Sequence, residues 1–330
     1  MIPLPDTAFK VLEILERSAE PISGETISNE LGVTRSAVWK QINELRLMGY
    51  DISSSQKEGY KLARASSKLL PYEVHKKLRT QFIGKKMRYL DSTPSTIGVG
   101  KQLCSEGNVE KIHGTVIIAE EQTGGVGRMG RAWVSPRGGI WITIVLKPHA
   151  VPIDHIFMIT MAGSIAVARA IRKEYDLGAL IKWPNDIFIG NKKVAGLSLE
   201  LAAEADAVHY CLLSIGVDAN VPVSTFAPEL RNNITSLQAE TGHDVDRASL
   251  LARILKEFES RYLLIESGEY NTIIQEWKSI SCTLENQVQI RTLKNTFDGE
   301  AVDIDEYGAL IIKKPNGKLE RVIAGDCYHQ

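Results

Sequence analysis

Gly124-Gly-Val-Gly-Arg-Met-Gly-Arg131 places four glycines and two arginines within eight residues. Glycine lets a backbone approach a ligand closely. Arginine forks match the oxygens of carboxylate and phosphate. Such a loop suits a ligand that carries both anions. The same stretch spells the dinucleotide fingerprint, Gly125-x-Gly127-x-x-Gly130. A Rossmann loop, however, opens a helix whose N-terminus holds the pyrophosphate. Here Ala132-Trp-Val-Ser-Pro-Arg-Gly-Gly139 follows, and it cannot start a helix. The neighbourhood where the ribose acid belongs, Ile144-Val-Leu-Lys-Pro148, has no acid. The dehydrogenase reading fails on both counts.

Two further stretches carry chemistry. In Lys182-Trp-Pro-Asn-Asp186, Pro184 fixes a turn, so that Asn185 and Asp186 can point into a site. Lys193-Val-Ala-Gly-Leu-Ser-Leu-Glu200 follows a hairpin turn at Gly190-Asn191, with Lys193 opening a strand and Gly196 facing something close. Each has a plainer reading when taken alone: a turn, a solvated lysine, a mobile loop with solvated arginines. The density of glycine and arginine after a buried strand argues against a merely mobile loop.

The elements that must position these residues follow from the rest of the chain. Its 330 residues, 44% hydrophobic, allow about two or three domains. A net charge of −1 excludes a molecule that attracts nucleic acid as a whole, so any DNA contact needs a local basic patch. Cys104, Cys211, Cys282 and Cys327 form no CxxC pair and read as reduced thiols of a cytosolic protein. The seven histidines form no cluster, and no metal site is expected. MIPLPDTAFK lacks a signal-peptide pattern. The longest apolar stretch, around Phe157 to Ala170, is interrupted by Gly163, Ser164 and Arg169, so no membrane span is expected.

Residues 8–31 read as two helices around Glu-Pro-Ile-Ser-Gly, and Thr34 caps a third that runs to about Met48. Gly32-Val33 between them makes a helix-turn-helix. Projected at about 100° per residue, Val38, Ile42 and Leu45 face the core; Ser36, Lys40 and Asn43 lie opposite, with Arg35 and Trp39 on the flank. A hairpin from Asp51 to Leu62, turning at Gln56 to Gly59, makes a wing. From Thr34 to Arg64 there are six basic and three acidic residues. Together with short polar base-readers, this favours DNA binding by Arg35, Ser36, Trp39, Lys40, Asn43 and Lys57 over a structural winged helix. Ala63 to Pro71 reads as a linker. The central region alternates strands with helices, including a long one over Asp154 to Glu174, and implies a mixed sheet. Gln287 to Gln330 reads as a small β-barrel of about four or five strands.

Together these stretches resemble the biotin–protein ligases, specifically the bifunctional class that also represses the biotin operon. The family's GRGRxGR loop reads here Gly125-Val-Gly-Arg-Met-Gly-Arg131. KWPND stands intact at 182–186, the KxxG…E element is Lys193 to Glu200, and a C-terminal glycine-acid pair is Gly325-Asp326. The resemblance implies an α+β fold: a winged helix-turn-helix over 1–65, a catalytic domain with a class II synthetase-like mixed sheet over 66–282, and an SH3-like barrel over 283–330. It also implies formation of biotinyl-5′-adenylate from biotin and MgATP, followed by transfer to a lysine of a biotin carboxyl carrier domain.

For the site, the resemblance implies Arg128, Lys193 and Asp186 as catalytic residues. Ser92, Thr93, Gln122, Gly125 and Gly196 join Arg128, Arg131 and Lys193 around biotin. Gly127, Trp133, Lys182, Asn185 and Asn220 join Arg128 and Arg131 around the nucleotide. Magnesium arrives with ATP. The implied partners are operator DNA and, once the adenylate is bound, a second copy of the chain. The chain departs from the pattern in three places. Pro94 follows Ser92-Thr93, which leaves Ser95-Thr96 as a second candidate pair; Val126 replaces the first loop arginine; Asp218 stands where glycine is common. Two alternatives remain: a biotin-sensing regulator without catalysis, and a lipoate ligase-like acyltransferase, although no cysteine lies in a transferase motif.

Overall fold

The computed structural model describes residues 6–55, 57–204, 207–292 and 295–329. The chain divides into two compact units, Met1–Tyr72 and Glu73–Gln330. The first holds helices α1 (Asp6–Arg17), α2 (Gly24–Leu31) and α3 (Arg35–Leu47), then strands β1 (Asp51–Ser55) and β2 (Gly59–Arg64) paired antiparallel. Local chemistry sets these boundaries. Ser23 and Thr34 cap α2 and α3 by accepting from the backbone N–H of Thr26 and Ala37, and Gly32 ends α2 at φ +65°. Val38, Ile42 and Leu45 are fully buried, as their spacing predicts. Ser36 and Lys40 are exposed, Asn43 is half-buried, and Trp39 is 59% exposed. Arg46 donates to the Ile52 carbonyl at 2.9 and 2.7 Å, so this cation of the basic cluster braces the wing. At the wing's base, Ile22 and Tyr60 exchange backbone bonds of 2.8 and 2.7 Å. Of the expected wing turn, Gln56 lies outside the described residues. The expected linker is partly structured: Ala63 and Arg64 belong to β2, and Leu69 and Leu70 are buried.

After α4 (Pro71–Lys77) the second unit runs β3 (Met87–Leu90), α5 (Thr96–Glu106), α6 (Val109–Ile112), β4 (Val116–Ala119), β5 (Ile140–Leu146) and α7 (Phe157–Tyr175). It continues with β6 (Ala179–Lys182), β7 (Asp186–Ile189), β8 (Lys192–Glu204), β9 (Ala207–Val217), α8 (Leu237–Thr241), α9 (Arg247–Glu266) and α10 (Tyr270–Ser279). The strands form a seven-stranded sheet in the order β3-β4-β5-β9-β8-β7-β6. The β3–β4 pair is parallel and the others are antiparallel. Every residue of β5 is buried, as expected of a strand covered on both faces.

Helix α7 carries the apolar stretch over which no membrane span is expected. With the turn before it, Ile153–Tyr175 reaches a mean hydropathy of 1.3, long and apolar enough to cross a bilayer by length and composition. Its apolar residues are instead buried against α9, α10 and the sheet. Helix α5 has no counterpart in the sequence reading, because Gly98 and Gly100 weaken its helical pattern. Gly100 packs closely on the sheet: a Cβ there would stand 3.1 Å from the Leu212 side chain.

The remaining strands are β10 (Gln287–Arg291), β11 (Thr296–Ile304), β12 (Leu310–Lys313), β13 (Leu319–Val322) and β14 (Asp326–His329). They form an antiparallel sheet in the order β13-β12-β11-β10-β14, so the last strand returns beside the first. The segment after α10 pairs with the catalytic sheet, Ile181 N–H donating to Ile280 and Cys282 N–H to Ile181, and the module itself accepts from Trp183 Nε1 at the Gly308 carbonyl, at 3.2 Å. The fold is α+β.

A buried ion pair ties α9 to the sheet. Arg247 donates to Glu120 at 3.1 Å and to the Gly139 carbonyl at 2.8 Å, the two side chains being 8% and 3% exposed. Breaking such a pair strands a charge in a dry site. Arg247→Met is expected to cost the second unit about 3–5 kcal/mol in urea unfolding. Arg17→Met, which breaks the exposed Arg17–Glu30 pair, is expected to cost far less.

Candidate active site

The glycine-arginine loop leaves β4 and returns to β5 over the N-terminal part of β8 and the C-terminal end of β9. A Cβ on Gly125 would lie 2.4 Å from the Trp133 carbonyl, so glycine there is a steric requirement. Trp133 N–H in turn donates to Gly125 at 2.8 Å. The Trp133 ring covers two more glycines: a Cβ on Gly216 would lie 2.6 Å from Nε1, and one on Gly196 3.2 Å from the ring edge. Its Nε1 is buried without a hydrogen-bond partner.

The cations of the loop and of β8 are held by acceptors from KWPND and from the C-terminal strand. Lys193 opens β8 and bonds Asp186 at 2.6 Å, with its ammonium 4.8 Å above the Trp133 ring. Arg128 donates to Asn185 Oδ1 at 3.2 Å and to the Gly325 carbonyl at 3.4 Å. Arg131 forks onto Asp326 at the start of β14. Burial pushes the Arg128 guanidinium below its ordinary range, with Asp326 and Asp186 opposing. The Arg131 bond holds the Asp326 carboxyl below the ordinary carboxylate range. Asn185 is 6% exposed; its side-chain Nδ2 donates to the Leu197 carbonyl, and its backbone carbonyl accepts from Leu197 N–H at 3.0 Å. KWPND is thus held from above by β8 and from below by Thr283, whose Oγ1 accepts from Trp183 N–H at 2.8 Å.

Under the loop lies a cavity of about 40 Å³ lined by Thr96, Gln122, Val126, Gly127, Trp133, Gly196, Ser198, Ser214 and Gly216, among others. A chain of hydroxyls forms one wall. Gln122 Oε1 accepts from Thr96 N–H and Oγ1 at 2.9 and 3.0 Å; Thr143 bonds both Thr96 and Ser214 at 2.8 Å. Gln122 Nε2 donates to Ser135 at 3.0 Å. Thr143 and Ser214 escaped the sequence reading. Their signal is a polar residue interrupting an apolar run, as in Ile142-Thr-Ile144.

Other expected residues lie elsewhere. Ser92 is exposed, and Thr93 is buried with its backbone bonded to Glu121 and Thr123; neither lines the cavity, whereas Thr96 of the second candidate pair does. Lys182 points its ammonium over the Phe188 ring at 4.9 Å. Asn220 bonds the Val245 backbone through both ends of its amide, at 2.9 and 2.8 Å. Among the described residues no group of three His, Cys, Asp or Glu side chains could hold a metal. Burial pushes the Cys104 thiol up to about 11 and those of Cys211 and Cys327 up to about 12; Cys282 is raised as well. None is poised as a thiolate nucleophile.

The fold and the cluster define a ligase that works on adjoining anions. Residues 90–220 match the Biotin/lipoate A/B protein ligase family, residues 283–330 the Biotin protein ligase C terminal domain, and residues 7–61 an HTH domain. The chain is 35% identical over 312 residues to the Bifunctional ligase/repressor BirA of Bacillus spizizenii, covering 94% of each. It is 28% identical over 297 residues to that of Escherichia coli, covering 88% of each. Among solved structures it is similar to the biotin protein ligase from Aquifex aeolicus in complex with biotin and ATP. That match has a TM-score of 0.64 and 25% identity, covering 74% of this chain and 99% of that one. The chain belongs to the biotin protein ligase family, in its bifunctional ligase/repressor branch.

The Arg131–Asp326 pair anchors the glycine loop to β14. Asp326→Asn is expected to release it, and trypsin should then cut after Arg128 or Arg131 several-fold faster than in the parent, read by mass spectrometry of the early fragments.

Proposed function

We propose that the chain joins biotin to ATP, transfers the biotinyl group to a lysine of a biotin carboxyl carrier domain, and represses transcription through its helix-turn-helix. In the first step an oxygen of the biotin carboxylate bonds the α-phosphorus of MgATP. The bond to the β-phosphate oxygen breaks, pyrophosphate leaves, and biotinyl-5′-adenylate remains. In the second step the acceptor amine attacks the acyl carbon, AMP leaves, and the amine gives up a proton. The observation that carries this reading is that Lys193 and Arg128, from separate motifs, are held on adjacent residues of KWPND, Asp186 and Asn185, beside a small cavity lined by Gly127, Trp133 and Gly196. Two anions repel as they meet, and fixed cations in a dry site lower that barrier.

We assign Lys193 and Arg128 to the joined carboxylate and phosphate, and Arg131 to the pyrophosphate or to bracing the loop. Asp186 receives the incoming amine once Lys193 has turned to the anions. Gln122, Gly125 and Gly196 line the biotin slot, with Thr96 and its hydroxyl chain as the polar end, in preference to Ser92 and Thr93. Gly127, Trp133, Asn185, Lys182 and Asn220 belong to the nucleotide side, the last two at a distance from the cations. Magnesium enters with ATP, and the polyphosphate supplies its ligands. A cavity of about 40 Å³ has room for water molecules but not a bicyclic ligand. Binding therefore displaces Trp133 and Val126, and the loop closes again over the anhydride, shielding it from water. The raised thiols disfavour a cysteine-based acyltransferase, and the retained cations disfavour a purely sensing regulator. The free thiols suit a cytosolic site of action.

We further assign boundaries of 1–65, 66–282 and 283–330 to the three domains, and the adenylate-bound form to a homodimer on a two-fold operator. Arg35, Ser36, Trp39, Lys40, Asn43 and Lys57 form its DNA face, supported by the exposure of Trp39, Lys40 and Lys57.

The ligase is tested by biotin-dependent exchange of labelled pyrophosphate into ATP and by avidin blotting of an apo carrier domain. Lys193→Ala is expected to lower exchange at least ~100-fold; a parent without exchange overturns the reading. For the DNA face, Lys40→Ala combined with Lys57→Ala is expected to weaken operator binding and flatten its salt dependence while ligation persists. Undiminished binding by that double variant would exclude this face.

A further inference from the structure

Asp218 follows β9 at a place where its side chain finds no donor. It is 2% exposed, and its Oδ1 is shut from solvent with no hydrogen-bond partner. Its backbone is fully engaged: the N–H donates to the Val194 carbonyl at 2.9 Å, and the carbonyl accepts from Leu237 N–H at 2.9 Å. The first of these bonds seats Asp218 beside the start of β8, next to Lys193. The charge of Lys193 reaches the Asp218 carboxyl, yet the Lys193 ammonium is bonded to Asp186. One lysine thus has two carboxyls in range and pairs with the more exposed one.

We propose that Asp218 is a positioning residue for Lys193, a neutral acid that leaves the ammonium free for the reaction and captures it when ionised. The proposal rests on the reading of Lys193 as a cation of the anion-joining step. An ionised carboxylate without donors in so dry a place is strongly disfavoured. Burial accordingly pushes the Asp218 carboxyl well above the ordinary carboxylate range, with Lys193 opposing. Other charges nearby are already engaged. The segment from Asn233 to Leu237 carries no ionisable side chain; beyond it, Glu240 accepts from Thr235 at 2.5 Å. Beneath the adjoining Gly139, Arg247 is paired with Glu120.

While Asp218 is neutral, Lys193 is held by Asp186 alone and can be handed to an incoming anion. A second ionised carboxylate would hold it in place. The sign follows: below its raised pKa Asp218 is protonated and the rate is unaffected, and as pH rises through that value the rate falls. A variant that cannot ionise loses this fall and keeps only the later one, from deprotonation of Lys193 itself.

The test uses the full chain in biotin-dependent pyrophosphate exchange from neutral to alkaline pH. In Asp218→Asn the alkaline limb of kcat is expected to move up by at least about one pH unit, with little change in KM for biotin. Asp218→Ser, which cannot ionise either, is expected to reproduce the shift. Limbs that coincide with the parent's, or a shift in only one variant, overturn the proposal and leave the ligase reading standing. A second measurement needs no turnover. The infrared difference between ligand-free parent and Asp218→Asn at neutral pH is expected to contain a protonated carboxyl band that disappears at alkaline pH; its absence overturns the proposal. A parent that has the band but no exchange overturns the ligase reading, and with it the role of Asp218.

Discussion

Cations placed in advance for an anionic reaction must be held while the anions are absent. Lys193, Arg128 and Arg131 come from two separate stretches of chain, and like charges gathered in one region repel if left bare. The structure holds them on acceptors that lie further apart still in sequence: Asp186 from KWPND, Asn185 and the Gly325 carbonyl, and Asp326. Much of the architecture serves to bring these acceptors to the loop. The β7–β8 hairpin sets Asp186 opposite Gly196, and the return of β14 beside β10 sets Gly325 and Asp326 under the arginines.

The C-terminal module is therefore a working part of the site. Its contacts run to both sides of KWPND: Thr283 and Gly308 hold Trp183, while Gly325 and Asp326 hold the arginine loop. A Cβ on Gly308 would lie 2.6 Å from Phe157, so this turn sits against α7 as closely as backbone allows.

Much of this was legible in the sequence where a function resides in contiguous residues. The glycine-arginine loop, KWPND and the Lys193 strand are local patterns, and their residue types alone indicate anion chemistry. The three helices and wing of the first unit were legible for the same reason, since caps and turn glycines are local. What stayed hidden depends on register and on distant partners. Pro94 made two serine-threonine pairs equivalent on paper, and only the docking of α5 beside β5 brings the Thr96 side chain to that of Gln122, whereas Thr93 meets Gln122 as a backbone bridge. Asn220 looked like a ligand-facing amide, yet Val245, 25 residues away, takes both of its ends. Helix α7, by contrast, was legible as a long helix because its apolar pattern is local; a Cβ on Gly163 would lie only 2.8 Å from Leu197, so the sheet packs closely against it.

The Trp133 ring links these observations. It rests on Gly196 and Gly216, covers the Lys193 ammonium, and leaves its own Nε1 buried without an acceptor. A buried donor without a partner is costly, and that cost is recovered when the ring moves or meets a ligand acceptor. The same loop carries both arginines and Val126, which is 47% exposed. Displacing the ring from the glycines therefore also changes what the surface of the loop presents. Cavity wall and outer surface are here one segment of chain, since Val126 lines the cavity and is also exposed.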